Sequence, residues 1–379
     1  MPKVDVLIIG QGICGTFLSL ELERAGLSYL VIDKVSPFSA SRAAAGLINP
    51  VTGRRLVTTW MIDELLAFAQ DRYAQLATVL GASFLEKVQV ADFFPTAQMR
   101  LAFLRRLEED GSYLRLPENE QNWDSCFHYE LGYGIISPCY LVDLPGLLTA
   151  ARKRMLEQGV LRDEHFEPGD LLVPGGSGQL AEALAAGEIK YQDIEARRII
   201  FCDGIGSSAG PYFSRLPFAP NKGEVLIVDI PGLEEAAAGA GEMNGVSASG
   251  QTIFKKGISL VPWHDGLYWV GSSYEWSFTT TEPTEGFRQR TEMALKEWVK
   301  LPYRVVDHIA AVRPATLERR PFVGFHPVYP AVGILNGMGT KGCSLAPYFA
   351  RQLVENLKNG SPIRPDADIQ RFTKVLSRK

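Results

Sequence analysis

Three glycines and an aspartate near the start of the chain have the types and spacing needed to hold a dinucleotide. Gly10, Gly12 and Gly15 follow the apolar run VDVLIIG as G-x-G-x-x-G, and Asp33 ends a second apolar run, LSYLVID. The first glycine permits a tight turn out of a strand, the second lets backbone N–H groups approach a pyrophosphate, and the third lets helix and strand pack closely. A helix opening at Ile13 and Cys14 would aim its partial positive charge at the phosphates. Asp33, with Lys34 beside it, is placed to accept hydrogen bonds from both hydroxyls of an adenosine ribose. On these residues alone, FAD and NAD are both open.

A second set lies near the other end. Asn336-Gly337-Met338-Gly339-Thr340-Lys341-Gly342 joins a strand-like run to a helix-like one. Such a loop exposes several backbone N–H groups, which suits an anionic or electron-rich edge. Upstream stands Arg313, whose guanidinium keeps its charge and can grip two carboxylate oxygens at once. Its other available role is an ion pair with Glu318 or Asp307. Lys341 could attract a carboxylate or superoxide, or sit in solvent. Tyr274 belongs with Tyr268, Trp269 and Trp276 to an aromatic strand, where alternate residues face a ligand or a core. The five histidines, His128, His165, His264, His308 and His326, show no metal-ligand spacing, and no metal is expected.

The elements that would position these groups can be read from periodicity. Helical spacing runs from Trp60 to Leu80, from Gln98 to Glu109, through LVDLPGLLTAARKRMLEQG to Gly159, from Thr284 to Lys300, and along the tail to Gly360. The strands VLRDEHF and RRIIFC continue the alternation of the first unit and imply more of one parallel sheet. From Asn221 to Trp276 the pattern changes to GEVLIVDIPG, QTIFKK, GISLVPW and LYWVGSSYEW, separated by turn signals, which argues for an antiparallel sheet. The expected fold is α/β: a Rossmann-like nucleotide-binding domain of discontinuous segments (1–81, 140–215 and 305–379) and an α+β substrate domain with a mainly antiparallel sheet (82–139 and 216–304). The segment from Lys34 to Arg55 is rich in small residues, Gly and Pro, and a loop of that length is usually functional.

Composition excludes several classes. Lys and Arg total 39 against 43 Asp and Glu, and they are scattered, so no nucleic-acid partner is expected. Five cysteines without a CxxC suggest free thiols in a reducing compartment. No apolar run is long enough to span a bilayer, and the first is interrupted by Asp5, so a cytoplasmic protein with no membrane partner is the expectation.

The run from Ala311 to Gly324, with its R-P-x-T-x-E-x-x-P-x-x-G pattern ahead of a strand, a glycine loop and L-A-P, resembles the D-amino-acid oxidase superfamily of FAD-dependent amine oxidoreductases. Glycine oxidase and sarcosine oxidase are its nearest familiar members. Ser41-Arg42-Ala43-Ala44-Ala45-Gly46-Leu47 is similar to that family's loop along the flavin ring, and Ile199 to Gly204, including Cys202, to the strand and turn behind the pyrophosphate. Residues from about 82 to 135 match nothing in it.

The resemblance implies non-covalent FAD, with its adenosine on Gly10, Gly12, Gly15 and Asp33. Its ring would lie between Ala44, Ala45, Gly46 and Leu47 and the loop Gly337, Gly339, Thr340, Lys341 and Gly342, with a helix starting after Cys343 pointing at the ring. Arg313 matches the arginine that pairs with the substrate carboxylate, which implies a small amine or amino acid as substrate and hydride transfer to flavin N5. Oxygen and other acceptors stay open. Asp203 and Thr340 depart from the family pattern: relatives carry a small residue at the first place, and glycine oxidase an arginine at the second. The alternatives are a flavin-dependent tRNA wobble-uridine-modifying module and a non-enzymatic flavin-binding protein.

Overall fold

Two sheets meet along one cavity, and nearly every element either belongs to one of them or braces it. The structure, a computed structural model, describes residues 2–53, 55–118, 123–173, 189–239 and 252–378. The first sheet has at its centre the parallel strands Leu161–Arg162, Tyr29–Ile32, Lys3–Ile9, Ile194–Phe201 and Val332–Asn336, neighbours in that order. Val6, Leu7 and Ile8 are fully buried, as expected of a strand covered on both faces. One face is covered by helices Ile13–Arg24, Ile62–Leu80, Leu144–Glu157 and Gly342–Asn359 through a core that includes Phe17, Tyr73, Leu148 and Phe349. Each such side chain contributes roughly 1.5–3 kcal/mol when taken out of water.

The helix ends follow their local chemistry. Asp143 caps Leu144–Glu157 by accepting from Gly146 N at 2.9 Å, and Thr284 caps Glu285–Trp298 at Phe287 N. Gly360 closes the C-terminal helix at φ +74°, which a side chain would resist.

The second sheet runs Arg304–Arg313, Asn221–Asp229, Tyr268–Gly271, Ile258–Pro262, Thr252–Lys256, Leu85–Phe93, Tyr133–Val142 and Leu47–Ile48. It is antiparallel except between Thr252–Lys256 and Leu85–Phe93. The expected domain boundaries at 139/140 and 304/305 both fall inside strands of this sheet, because Tyr133–Val142 and Arg304–Arg313 pair within it. Strand Leu85–Phe93 and helix Ala97–Glu109 now account for much of the segment that the family pattern left blank. LYWVGSSYEW is a strand only as far as Gly271, so Tyr274 and Trp276 belong to the loop that follows.

Candidate active site

A cavity of about 1340 Å³ lies between the two sheets. At its nucleotide end the backbone is held open by glycines. Gly10 has φ +99°, and a Cβ there would lie 2.6 Å from Cys202 O; one on Gly15 would lie 1.9 Å from Gly10 O. The turn is pinned from outside, with Ile13 N donating to Ser41 Oγ at 3.1 Å and Gln11 N to Asp33 Oδ1 at 2.8 Å.

Asp33 Oδ2 accepts from Arg152 at 2.7 Å, and Arg152 also donates to Asp33 O at 3.0 Å. The carboxylate is therefore fixed in place, with one protein donor on each oxygen. Arg152 and Gln11 are positions that the motif did not supply. The signal for Arg152 was a charge on the apolar face of its helix, among Leu148, Ala151 and Met155. Arg42 also lines the cavity near Asp33 and Arg152; burial lowers its pKa, the direction expected of a guanidinium poor in water.

Opposite, the tail loop turns at Gly337 (φ +76°) and Gly339 (φ +56°). Asn336 locks it to the turn at Gly204, donating to Gly204 O at 2.8 Å and accepting from Gly337 N at 2.8 Å. The helix begins at Gly342, one residue before Cys343 rather than after it, and both residues line the cavity.

Asp203 sits between these loops. Its carboxyl accepts from Ser207 Oγ and from Asn336 Nδ2, and burial raises its pKa to about 6. A proton there relieves the repulsion that a carboxylate would exert on a phosphate.

On the sheet side, Arg313 and Asn221 are register partners at the sheet edge. Arg313 donates to Asn221 Oδ1 at 2.8 Å, Ser272 Oγ at 2.8 Å and Ser273 O at 3.2 Å. All three acceptors are neutral. Glu318 pairs with Arg371 at 3.1 Å, and Asp307 accepts from His308 N at 2.7 Å, so neither takes the ion-pair role that the sequence left open. Burial lowers the Arg313 pKa, and no carboxylate faces it among the described residues. A Cβ on Gly223 would lie 2.0 Å from Arg313 Nη2, so that glycine makes the space the guanidinium fills. A glycine inside the strand pattern GEVLIVD was its signal, and sequence reasoning passed it over.

Residues 5–356 match the family described as FAD dependent oxidoreductase, DAO. The chain belongs to that family. A glycine oxidase of Pseudomonas aeruginosa is 21% identical over 376 residues, covering 94% of this chain and 96% of the relative. The glycine oxidase structure from Bacillus cereus superposes with a TM-score of 0.74 at 16% identity, covering 100% of this chain and 99% of the other. Iminodiacetate oxidase from Chelativorans sp. BNC1 gives a TM-score of 0.70 at 20% identity, covering 97% and 98%. This protein is thus an FAD-dependent oxidoreductase of the D-amino-acid oxidase superfamily, and FAD is its cofactor.

The residues present suit FAD. Gly10, Gly12, Ile13, Cys14, Asp33, Lys34, Ser41, Arg42, Ala44, Ala45, Gly46, Leu47, Cys202, Gly204, Arg313, Gly339, Thr340 and Gly342 all line this cavity, as does Tyr274. Gly46, at φ +84°, leaves no room for a side chain, since a Cβ would lie 2.0 Å from Val142 O. Three expected residues lie off the wall. Gly15 and Gly337 act behind it, where a Cβ would strike Gly10 O and Thr316 Cγ2. Lys341 is half-buried beside the helix start, and its pKa is lowered by burial and by Arg320 and Arg319. Tyr274 is 48% exposed, with the Arg313 guanidinium 5.6 Å from its ring centroid and Trp276 packed edge-on at 5.3 Å. His165 and His308 also reach the wall. No helix among the described residues is long and apolar enough to cross a membrane, and no cluster among them has the donors to hold a metal ion.

Proposed function

We propose that the enzyme oxidises a carboxylate-bearing primary or secondary amine, with Arg313 binding the carboxylate. The observation that carries this is a half-buried guanidinium, held in place by neutral groups alone, on the wall of the cavity whose residues suit the flavin. A cation so placed is short of negative charge until an anion arrives, and its fixed donors suit two oxygens at once. When bound, FAD supplies a two-electron acceptor at N5 for the hydride of the amine-bearing carbon, leaving an imine that water hydrolyses.

The chain's own work is placement and electrostatics. Arg313 fixes the carboxylate end, and Tyr274 leans over the guanidinium and narrows the mouth. Val225, Val261 and Trp269 give the cavity an apolar floor that favours the neutral amine. A neutral amine carries its own lone pair, so no general base is required. The helix Gly342–Asn359 directs its N-terminus at the cavity and favours negative charge there.

We read the FAD as non-covalent. Cys14, Cys202 and Cys343 are the thiols on the wall, and burial pushes Cys14 and Cys343 up to about 12 and raises Cys202 well above the usual thiol range. Neutral thiols are poor nucleophiles.

The test is anaerobic titration of the purified enzyme with amino acids and N-alkyl amino acids, following loss of flavin colour. Arg313→Ala is expected to keep its FAD and lose at least about 100-fold in efficiency toward these substrates. Equal bleaching of both proteins, or preference for the decarboxylated amines, would overturn the role of Arg313.

A further inference from the structure

The floor of the cavity carries a second, remote polar group that the carboxylate site does not use. Along one row of the sheet, Val225 pairs with Gly271, Gly271 with Ser259, and Ser259 with Lys255. The two middle positions are small, and all four line the cavity. They leave a trough that starts beside Gly223, where the Arg313 guanidinium lies, and crosses the sheet to Lys255. Its sides are apolar: Val261, Ile253 and Val90 stand on the same face. The first and fourth strands of that row are about 14 Å apart.

At the far end Lys255 Nζ donates to Asp92 Oδ2 at 2.7 Å. Asp92 is buried, its side chain 5% exposed, whereas that of Lys255 is 28% exposed and lines the cavity. The buried carboxylate anchors the ammonium and leaves it two N–H donors for whatever enters the trough. A cation tethered this way behaves as a fixed hydrogen-bond donor rather than as a free charge.

We infer that the substrate is an amino acid whose side arm, or N-substituent, ends in a hydrogen-bond-accepting group held by Lys255. This rests on the proposed carboxylate site at Arg313. The carboxylate binds at one end of the trough, an apolar arm two to three bonds longer than that of glutamine crosses it, and a carboxamide or carboxylate oxygen meets the ammonium at the other. An arm ending in a methyl group leaves the ammonium short of a partner, and one ending in an ammonium meets a like charge.

The experiment compares both enantiomers of N6-acetyllysine, 2-aminopimelate, norleucine and lysine in anaerobic flavin bleaching and steady-state turnover. N6-acetyllysine or 2-aminopimelate is expected to exceed norleucine and lysine by at least about tenfold in kcat/KM. Lys255→Met is expected to erase that preference, read as the ratio of kcat/KM for the acceptor-ended arms to that for norleucine. Because Lys255→Met strands the Asp92 carboxylate, the double variant with Asp92→Asn is measured beside it, with flavin content and melting temperature as checks on folding. Comparison of N6-acetyllysine with 2-aminopimelate separates a neutral acceptor from an anionic one. Equal use of all arms, or a preference that survives in both variants, overturns the distal site and leaves the Arg313 reading intact. A Lys255 variant that shifts the flavin spectrum or potential without changing the preference assigns the lysine to the cofactor and overturns the inference. Failure of every amino acid to bleach the flavin overturns both readings together.

Discussion

On the parallel-sheet side of the cavity the groups that face a ligand are mostly backbone, freed by glycines; on the antiparallel side they are side chains from strands distant in sequence. Gly10, Gly12 and the Asp33 anchor fall within one βαβ unit, and their spacing is set by the turn itself. Arg313, Asn221, Gly223, Ser272 and Lys255 come from three strands and a loop, and only the register of the sheet brings them together. A surface made from backbone tolerates little variation, since every contact is a matter of atoms that all residues share. A surface made from side chains can be rewritten one residue at a time.

The sharpest way to break this contrast is to place a side chain in the backbone wall. Gly15→Ala puts a methyl group against Gly10 O and should cost about 3 kcal/mol or more, seen as little co-purifying flavin and a lowered melting temperature. A stable yellow Gly15→Ala protein would show that the wall can adapt, and the contrast would fall.

Gly223→Ala tests the opposite wall with the same change. Its Cβ displaces the Arg313 guanidinium, and efficiency toward carboxylate-bearing amines should drop about 100-fold at unchanged FAD content. Loss of FAD instead would mean that the two walls are not separable.

The smallest effect concerns Asp203, which stands on the cofactor wall but acts through its side chain. Its folded pKa, about 6, lies above the ordinary value of 3.8, so the fold prefers the protonated form. The associated stability is complete below about pH 4 and is lost as pH rises through 6, a change of up to about 3 kcal/mol. FAD phosphates strengthen the same preference, so FAD affinity should fall by up to about tenfold between about pH 5 and 8. Titration of apoprotein with FAD by fluorescence checks this, and Asp203→Asn should flatten both profiles. A pH-independent affinity in the native chain would assign Asp203 a purely structural place.

The same contrast explains what the sequence revealed. The nucleotide turn, the helices from Ile62 to Leu80 and from Gly342 to Asn359, and the strand Asn221–Asp229 all stand where periodicity and end residues placed them. Local chemistry dictates those elements. The pairing of Arg304–Arg313 with Asn221–Asp229 is set about 80 residues away in sequence, so the domain boundary was drawn through a strand. Arg152 and Gly223 were missed for a related reason: each breaks a local pattern, but the partner that gives the break its meaning lies on another element. Arg313 was found by motif, and its lack of a counter-charge became visible only in three dimensions.

One bond joins the two walls directly. Trp269, on the floor of the trough, donates its indole N–H to Ala43 O at 2.9 Å, in the loop that lines the opposite side of the cavity. The ring therefore reads both surfaces at once. Light emitted by that indole depends on the bond it makes and on any absorbing neighbour, so the molecule contains a built-in optical gauge of how closely its two halves hold their ligands.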